Sequence, residues 1–337
     1  MKKYSLIKKL LYLINSIVAA ILLLSYLLPF ISPKSVPTFA VLSLLVPFLI
    51  IANLLFLIYW LIKLKKQFLL SAVVLGIGWL FSSPFYKLSG TNNVLNSDVK
   101  VMSYNVRTFN YYKWNKDKNA AQKTFEFITE KEPDILAIQE FYESDKISFT
   151  YPYKYIKTKS KNNKFGLAIY SKFKIIRQGS LDFANSTNNA IYIDILKDKD
   201  TIRVYNLHLE SLKINPDKEN FGEENSEKLL KRLKSSFTKQ TNQTEVFLAH
   251  EKQWKGKKII CGDLNNTAYS WVYNQIANNK KDAYIEAGKG FGKSFNYFFP
   301  VRIDFILTNE NTEVTRFRTF PVKYSDHFPI LANLNWE

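Results

Sequence analysis

Oxygen- and imidazole-bearing side chains recur at the ends of apolar runs in the later part of this 337-residue chain. Asn105 ends VMSYN, Glu140 ends ILAIQE, and His208 lies in YNLHLE. Asp263 and Asn265 close IICGDLN, Asp304 sits in RIDF, and Asp326 with His327 opens SDHFPI. Singly, each has a plain structural meaning, since Asp or Asn after a strand makes a turn and a lone histidine is a satisfied polar group. Their joint recurrence is hard to obtain from turn chemistry. Hard divalent cations take carboxylate and amide oxygens, often only one or two, with water and phosphate completing the shell. Glu140, Asp326 and Asn105 could form that set. Two histidines and an Asp–Asn pair then remain for proton transfer and for holding a nucleophilic water, an inventory that suits metal-assisted hydrolysis at phosphorus. Zinc is disfavoured, because no His or Cys cluster stands at ligand spacing.

These residues need strands to carry them. β-branched and aromatic runs recur as VKVMSYNV, DILAIQEF, FGLAIYSK, AIYIDIL, TIRVYNLHL, KKIICGDL, RIDFILT and FPILANL. KDKNAAQKTFEFITEKEPD, between the first two, has helical periodicity and ends at Pro133; a longer helical stretch runs from about Ser226 to Lys252. The polar KINPDKENFGEEN before it reads as a loop. Many strands with few helices predict an α/β or α+β sandwich, sheet on sheet flanked by helices.

From about Val99 to the carboxyl end the chain resembles the endonuclease/exonuclease/phosphatase superfamily, with its deoxyribonuclease I-like fold. The resemblance rests on SYNVRTFN, ILAIQE, GLAIYSK, YNLHLES, IICGDLN, RIDFIL and SDHFPI, in the family's order. It implies a four-layer sandwich of two mixed sheets between helices, with the site at one end. It further implies that Asn105, Glu140 and Asp326 hold Mg²⁺, with Mn²⁺ as the alternative. His327, oriented by Asp304, would be the general base or a phosphate-contacting imidazole. Asp263 and Asn265 would align the attacking water, His208 would stabilise charge on the phosphorane, and Arg107 would contact phosphate. Whether Asp263 or His327 takes the proton stays open. At YNLHLES, His208 is similar to the deoxyribonuclease I and sphingomyelinase branches rather than to abasic-site endonucleases, and Glu143 is a poorly aligned candidate for a histidine's acidic partner.

The first 90 residues are a different material. They hold nine of the 47 basic residues and none of the 29 acidic ones, so the remainder carries 38 against 29, a net +9. Leu10 to Ile31, Pro37 to Ile62 and Phe68 to about Pro84 are uncharged apolar runs near the roughly 20 residues that a membrane span requires. Three spans are expected rather than a cleaved signal peptide. Lys2, Lys3, Lys8 and Lys9, with Lys63, Lys65 and Lys66, mark the cytoplasmic side. The organisation expected is therefore a transmembrane region of about three helices over 1–90, a linker over 91–98, and a catalytic domain over 99–337. That domain would face the periplasm or exterior from a multi-pass position in the inner membrane. The single Cys261 forms no intramolecular disulfide and decides nothing about compartment.

The leading expectation is a membrane-anchored, nuclease-like phosphodiesterase acting on a phosphate-containing substrate. The alternative is a phosphodiesterase or phosphatase for lipid headgroups. The domain's positive charge favours polyanions such as nucleic acid, and YKYIKTKSKNNK, Tyr153 to Lys164, is either a binding surface or a solvated loop. A non-catalytic scaffold is disfavoured because no expected catalytic position is inert. The bilayer is the expected partner through the N-terminal helices, with no obligate protein partner.

Overall fold

The computed structural model describes residues 6–144, 148–160, 162–213 and 223–336. The loop expected before Ser226 lies mostly outside them, as does Lys161 of the basic stretch. The chain begins with Leu6–Ser25 (α1) and a 3-10 turn at Leu28–Phe30, followed by Pro37–Leu42 (α2), Val46–Ile62 (α3) and Phe68–Phe81 (α4). The second apolar run is thus broken in two, with Pro47 in the first turn of α3, where its missing N–H costs nothing. At 1.5 Å per residue the 17 residues of α3 reach about 26 Å and the 14 of α4 about 21 Å, short of the ~30 Å hydrocarbon core. Only the segment Leu6–Phe30 is a helix long and apolar enough to cross a membrane among the described residues, not about three. The expected count of three differs because composition marks where apolar runs lie, while Pro47 at the start of α3 and Ser82–Pro84 after α4 set where helices begin and stop.

Helices α1, α3 and α4 pack together around Ala19, Leu22, Val46 and Val74. Asn15 ties them with polar bonds, donating to Ser71 Oγ at 2.8 Å and accepting from Trp60 Nε1 at 3.0 Å.

The second part continues with Val99–Asn105 (β1), a 3-10 turn at Arg107–Asn110, Ala120–Lys131 (α5), Ile135–Tyr142 (β2), Tyr153–Ser160 (β3), Asn163–Ser171 (β4) and Lys174–Ser180 (β5). Asn189–Lys197 (β6), Asp200–His208 (β7), Glu223–Glu251 (α6), Lys257–Asp263 (β8), Trp271–Ala277 (α7) and Lys280–Asp282 (β9) follow. Ala283–Ala287 (α8), Asp304–Asn309 (β10), Glu313–Thr319 (β11) and Ile330–Asn335 (β12) complete it.

The strands form two six-stranded sheets, β11-β12-β1-β2-β4-β3 and β5-β6-β7-β8-β10-β9. Both are mixed: β1 and β2 run parallel, as do β7 and β8, and the other pairs are antiparallel. Inner-face residues of both sheets, among them Val101, Ile135, Ile193, Val204, Ile259 and Ile306, make the central core. Phe127 and Ile128 of α5 cover the outside of the first sheet. Phe247 of α6 and Val272 and Ile276 of α7 cover the outside of the second. Two mixed sheets flanked by helices are therefore present as expected. The parallel pairs β1–β2 and β7–β8 place Asn105, His208 and Asp263 at matching strand ends, facing one another from the two sheets.

Candidate active site

Asn105, fully buried at the end of β1, links the sheets. Its Nδ2 donates to Glu140 Oε1 at 3.2 Å and to Asp263 Oδ2 at 3.0 Å, while its Oδ1 accepts from the Arg107 backbone N–H at 3.0 Å. Glu140 comes from the first sheet and Asp263 from the second, so one amide holds carboxylates from both. Glu140 reaches inward because β2 bulges between Ile138 and Phe141, leaving Glu140 at φ +47°.

Asp263 follows Gly262, whose φ is +152° and where a Cβ would lie 2.1 Å from the Leu207 carbonyl oxygen of β7. Only glycine lets the two strands approach so closely. The Asp263 carboxylate accepts from Asn265 twice, from its N–H at 2.7 Å and from its Nδ2 at 3.2 Å. His208 Nε2 lies 3.8 Å from Glu140 Oε1 and 3.7 Å from Asp263 Oδ2. It is buried and has no hydrogen-bond partner. Such an atom is costly unless a ligand oxygen meets it.

Across the site His327 Nδ1 faces Asp304 Oδ2 at 2.9 Å, and its Nε2 is 3.6 Å from Asp263 Oδ2. Ser294 sets this pair by accepting from the N–H groups of Ile303 and Asp304, both at 3.0 Å. Ser325 accepts from the His327 N–H at 3.2 Å and donates to the Asn105 carbonyl at 2.7 Å. Asp326 pairs with Arg107 at 3.0 Å, and the guanidinium lies 4.3 Å over the Trp114 ring.

The electrostatics separate the two imidazoles. Burial holds His208 below the ordinary histidine range, outweighing the pull of Asp263. Burial also works against charge on His327, but Asp304 and Asp263 together push it well above that range. Two like groups driven apart are suited to opposite tasks, one a neutral donor and one a proton carrier. Burial raises Asp263 to about 6. Burial, then the neighbouring charge of Asp326, raises Glu140. Two carboxylates that repel each other at one place are what a cation would neutralise, and the oxygen-only character of Glu140, Asp326 and Asn105 fits a hard divalent ion. Asp263, Asp304 and His327 also offer ligand atoms within 4.8 Å of one another, a spacing that could hold a cation.

All nine residues singled out from sequence thus converge on one end of the sandwich. Glu143 does not join them; its backbone N–H donates to the Lys164 carbonyl at 2.9 Å. The basic stretch is a hairpin of β3 and β4 rather than a loop, and its Lys157 and Lys159 line the cavity that reaches Glu140 and His208. Three supporting residues escaped the sequence reading. Gln139 and Asn206 bridge the sheets behind the site, Gln139 Nε2 donating to Asn206 Oδ1 at 2.7 Å, and Trp114 carries Arg107. The only signal for the first two is proximity in sequence, Gln139 directly before Glu140 and Asn206 two residues before His208.

A model of the Endonuclease/Exonuclease/phosphatase family matches residues 102–327, and a model described only as a domain of unknown function matches residues 8–85. No curated protein matches the chain. Among solved structures, an endonuclease/exonuclease/phosphatase family protein from Leptotrichia buccalis is 19% identical, with a TM-score of 0.51 over 70% of this chain and 99% of that one. The human Nocturnin catalytic domain with bound sulfate is 16% identical, with a TM-score of 0.52 over 73% and 96%. D. rerio TDP2 complexed with a single-strand DNA product is 17% identical, with a TM-score of 0.54 over 71% and 100%. At these identities the likeness establishes the fold.

Proposed function

This chain belongs to the endonuclease/exonuclease/phosphatase family of phosphoester hydrolases, and from that premise we propose that it is a divalent-metal-dependent phosphodiesterase. The observation that carries the reading is the unpartnered His208 Nε2 between Glu140 and Asp263, the two carboxylates that Asn105 joins across the sheets.

Glu140, Asn105 and Asp326 would hold the cation, Mg²⁺ by ligand chemistry, which when bound neutralises charge on the phosphate oxygens. Asp263 and Asn265 hold and align the attacking water. His208, kept neutral, donates Nε2–H to a phosphate oxygen as charge gathers there, without adding repulsion toward His327. His327, oriented by Asp304, carries the proton at Nε2 beside the reacting group. Asp263, Asp304 and His327 are read as this proton-transfer group rather than as a second cation site, because His327 Nδ1 is already engaged by Asp304. Arg107, paired with Asp326 and steadied by Trp114, lines the groove beside Glu140 and would meet a phosphate oxygen there. Attachment to a membrane through the N-terminal helices, with the catalytic domain on the outer side, is part of the same reading.

The test is hydrolysis of bis-p-nitrophenyl phosphate with Mg²⁺ and with a chelator, beside a thermal shift on adding Mg²⁺. Glu140→Gln keeps the shape but removes a charge, so it should raise the Mg²⁺ requirement and shrink the metal-induced stabilisation. Turnover indifferent to chelator would overturn the metal role.

A further inference from the structure

Two cavities open from the site. One, of about 730 Å³, is lined by Lys157, Lys159, Lys213 and Asn188, with Tyr112 and Phe165 on the same wall, and reaches Glu140 and His208. The other, of about 510 Å³, runs past Arg107, Asp326 and His327 to Leu44, Leu45, Pro47 and Phe48. Glu140 and Lys213 line both, so the cavities are two arms of one groove that meet beside the reacting centre.

The apolar wall does not belong to the sandwich. Leu44 to Phe48 form the junction of α2 and α3, the N-terminal helices, and they are held in place. Leu44, with Ala40 and Val41, packs on Leu233 and Phe237 of α6. Thr267 Oγ1 donates to the Ser43 carbonyl at 3.2 Å, and the Phe48 ring stacks on Phe299 at 3.9 Å. Leu45 nevertheless keeps 46% of its surface open and neighbouring Phe298 79%.

Leu44, Leu45 and Pro47 have no π-face on which a base could stack, and the aromatic rings of this arm already pack on others, Phe48 on Phe299, Phe295 on His327 and Tyr297 on Phe298. An alkyl chain, by contrast, would gain about threefold to fourfold in binding for each methylene it buries there. The wall also includes the start of α3, the helix on which Leu54, Leu55 and Ile58 are exposed apolar residues further along. In the arm opposite, Lys157 is paired with Asp182 at 3.3 Å, while Lys159 and Lys213 suit a polar headgroup bearing negative charge.

We infer that, granted the phosphodiesterase reading, the substrate is a lipid phosphodiester whose apolar chain lies along Leu44–Phe48 and whose headgroup fills the lysine arm. In its hydrolysis the oxygen of water bonds to phosphorus, one P–O ester bond breaks, and the departing alkoxide takes a proton. A phosphomonoester and an alcohol result.

The full chain in detergent is tested with methyl(alkyl)phosphinates, whose two P–C bonds resist hydrolysis, in a series from ethyl to octyl. Affinity should rise at least about tenfold along the series, and a long-chain phosphodiester should be turned over faster than a single-stranded oligonucleotide. Leu45→Asp, at a half-open position, should lower the octyl-to-ethyl affinity ratio severalfold. A flat series, an unchanged ratio in Leu45→Asp, or preference for the oligonucleotide would overturn the inference. Bis-p-nitrophenyl phosphate reports separately on catalysis: no turnover of it alongside a steep chain-length series would sink the phosphodiesterase reading and leave the apolar wall standing.

Discussion

A histidine with both ring nitrogens facing carboxylates is either part of the chemistry or part of the packing, and His327 separates the two by experiment. If it acts on the reacting phosphate or its water, His327→Ala lowers turnover by roughly 10²-fold or more. A packing role predicts a lowered melting temperature with the specific activity of the folded protein retained. Because Asp304 works through His327, the double Asp304→Ala, His327→Ala variant should turn over little more slowly than His327→Ala alone. Multiplicative losses would dissolve the dyad. At this scale the sequence was legible, since the site residues stand where apolar runs end or begin and the strands carry them to the same end of the sandwich. Gln139 and Asn206 were not legible. Their partners are across the sheets, and a buried amide in a strand looks like any other polar position until the facing sheet is known.

The elements themselves divide by position. All eight strands expected from sequence are present, and the four that were missed, β3, β5, β9 and β11, are the four sheet edges. Edge strands bury less, as β3 and β5 show by having no fully buried residue, so their sequences lack the apolar content that marks a central strand. The basic hairpin was read as surface for that reason.

Near its end α6 carries His250, whose Nδ1 lies 3.0 Å from the Tyr205 hydroxyl of β7. A helix C-terminus favours a charged histidine, yet burial, with Arg203 nearby, pushes His250 below its ordinary value. Burial wins, and the sign for stability follows. Above the unfolded value of about 6.5 the ring is neutral in both states. Below it the unfolded chain takes the proton first, so stability falls with pH until the lower folded value is passed. Melting temperatures between pH 7.5 and 5.5 should therefore drop more steeply for the native chain than for His250→Phe. Equal slopes would mean that His250 titrates alike in both states.

In the whole molecule, three chain ends of the N-terminal bundle abut the catalytic domain. Asn274 Nδ2 donates to the Pro29 carbonyl at 3.0 Å just past α1, Phe48 at the start of α3 meets Phe299, and Arg302 donates to Ser83 Oγ at 3.1 Å just past α4. If Leu6–Phe30 anchors the chain as proposed, Lys8 and Lys9 at the start of α1 would stay in the cytoplasm, and a reporter fused after Glu337 should behave as external. An inactive alkaline phosphatase fusion beside a fluorescent cytoplasmic one would reverse the orientation.

The junction that walls the groove also bears on how the chain can be divided. Thr267 and Phe299 of the hydrolase half receive Ser43 and Phe48 from the other half, so the site has a side that the family domain does not encode. A version cut to the hydrolase alone would keep its acids and imidazoles but open one flank to water, accepting molecules that the whole chain turns away. On the lipid reading the two halves would not be exchangeable modules, and selectivity would be a property of their seam.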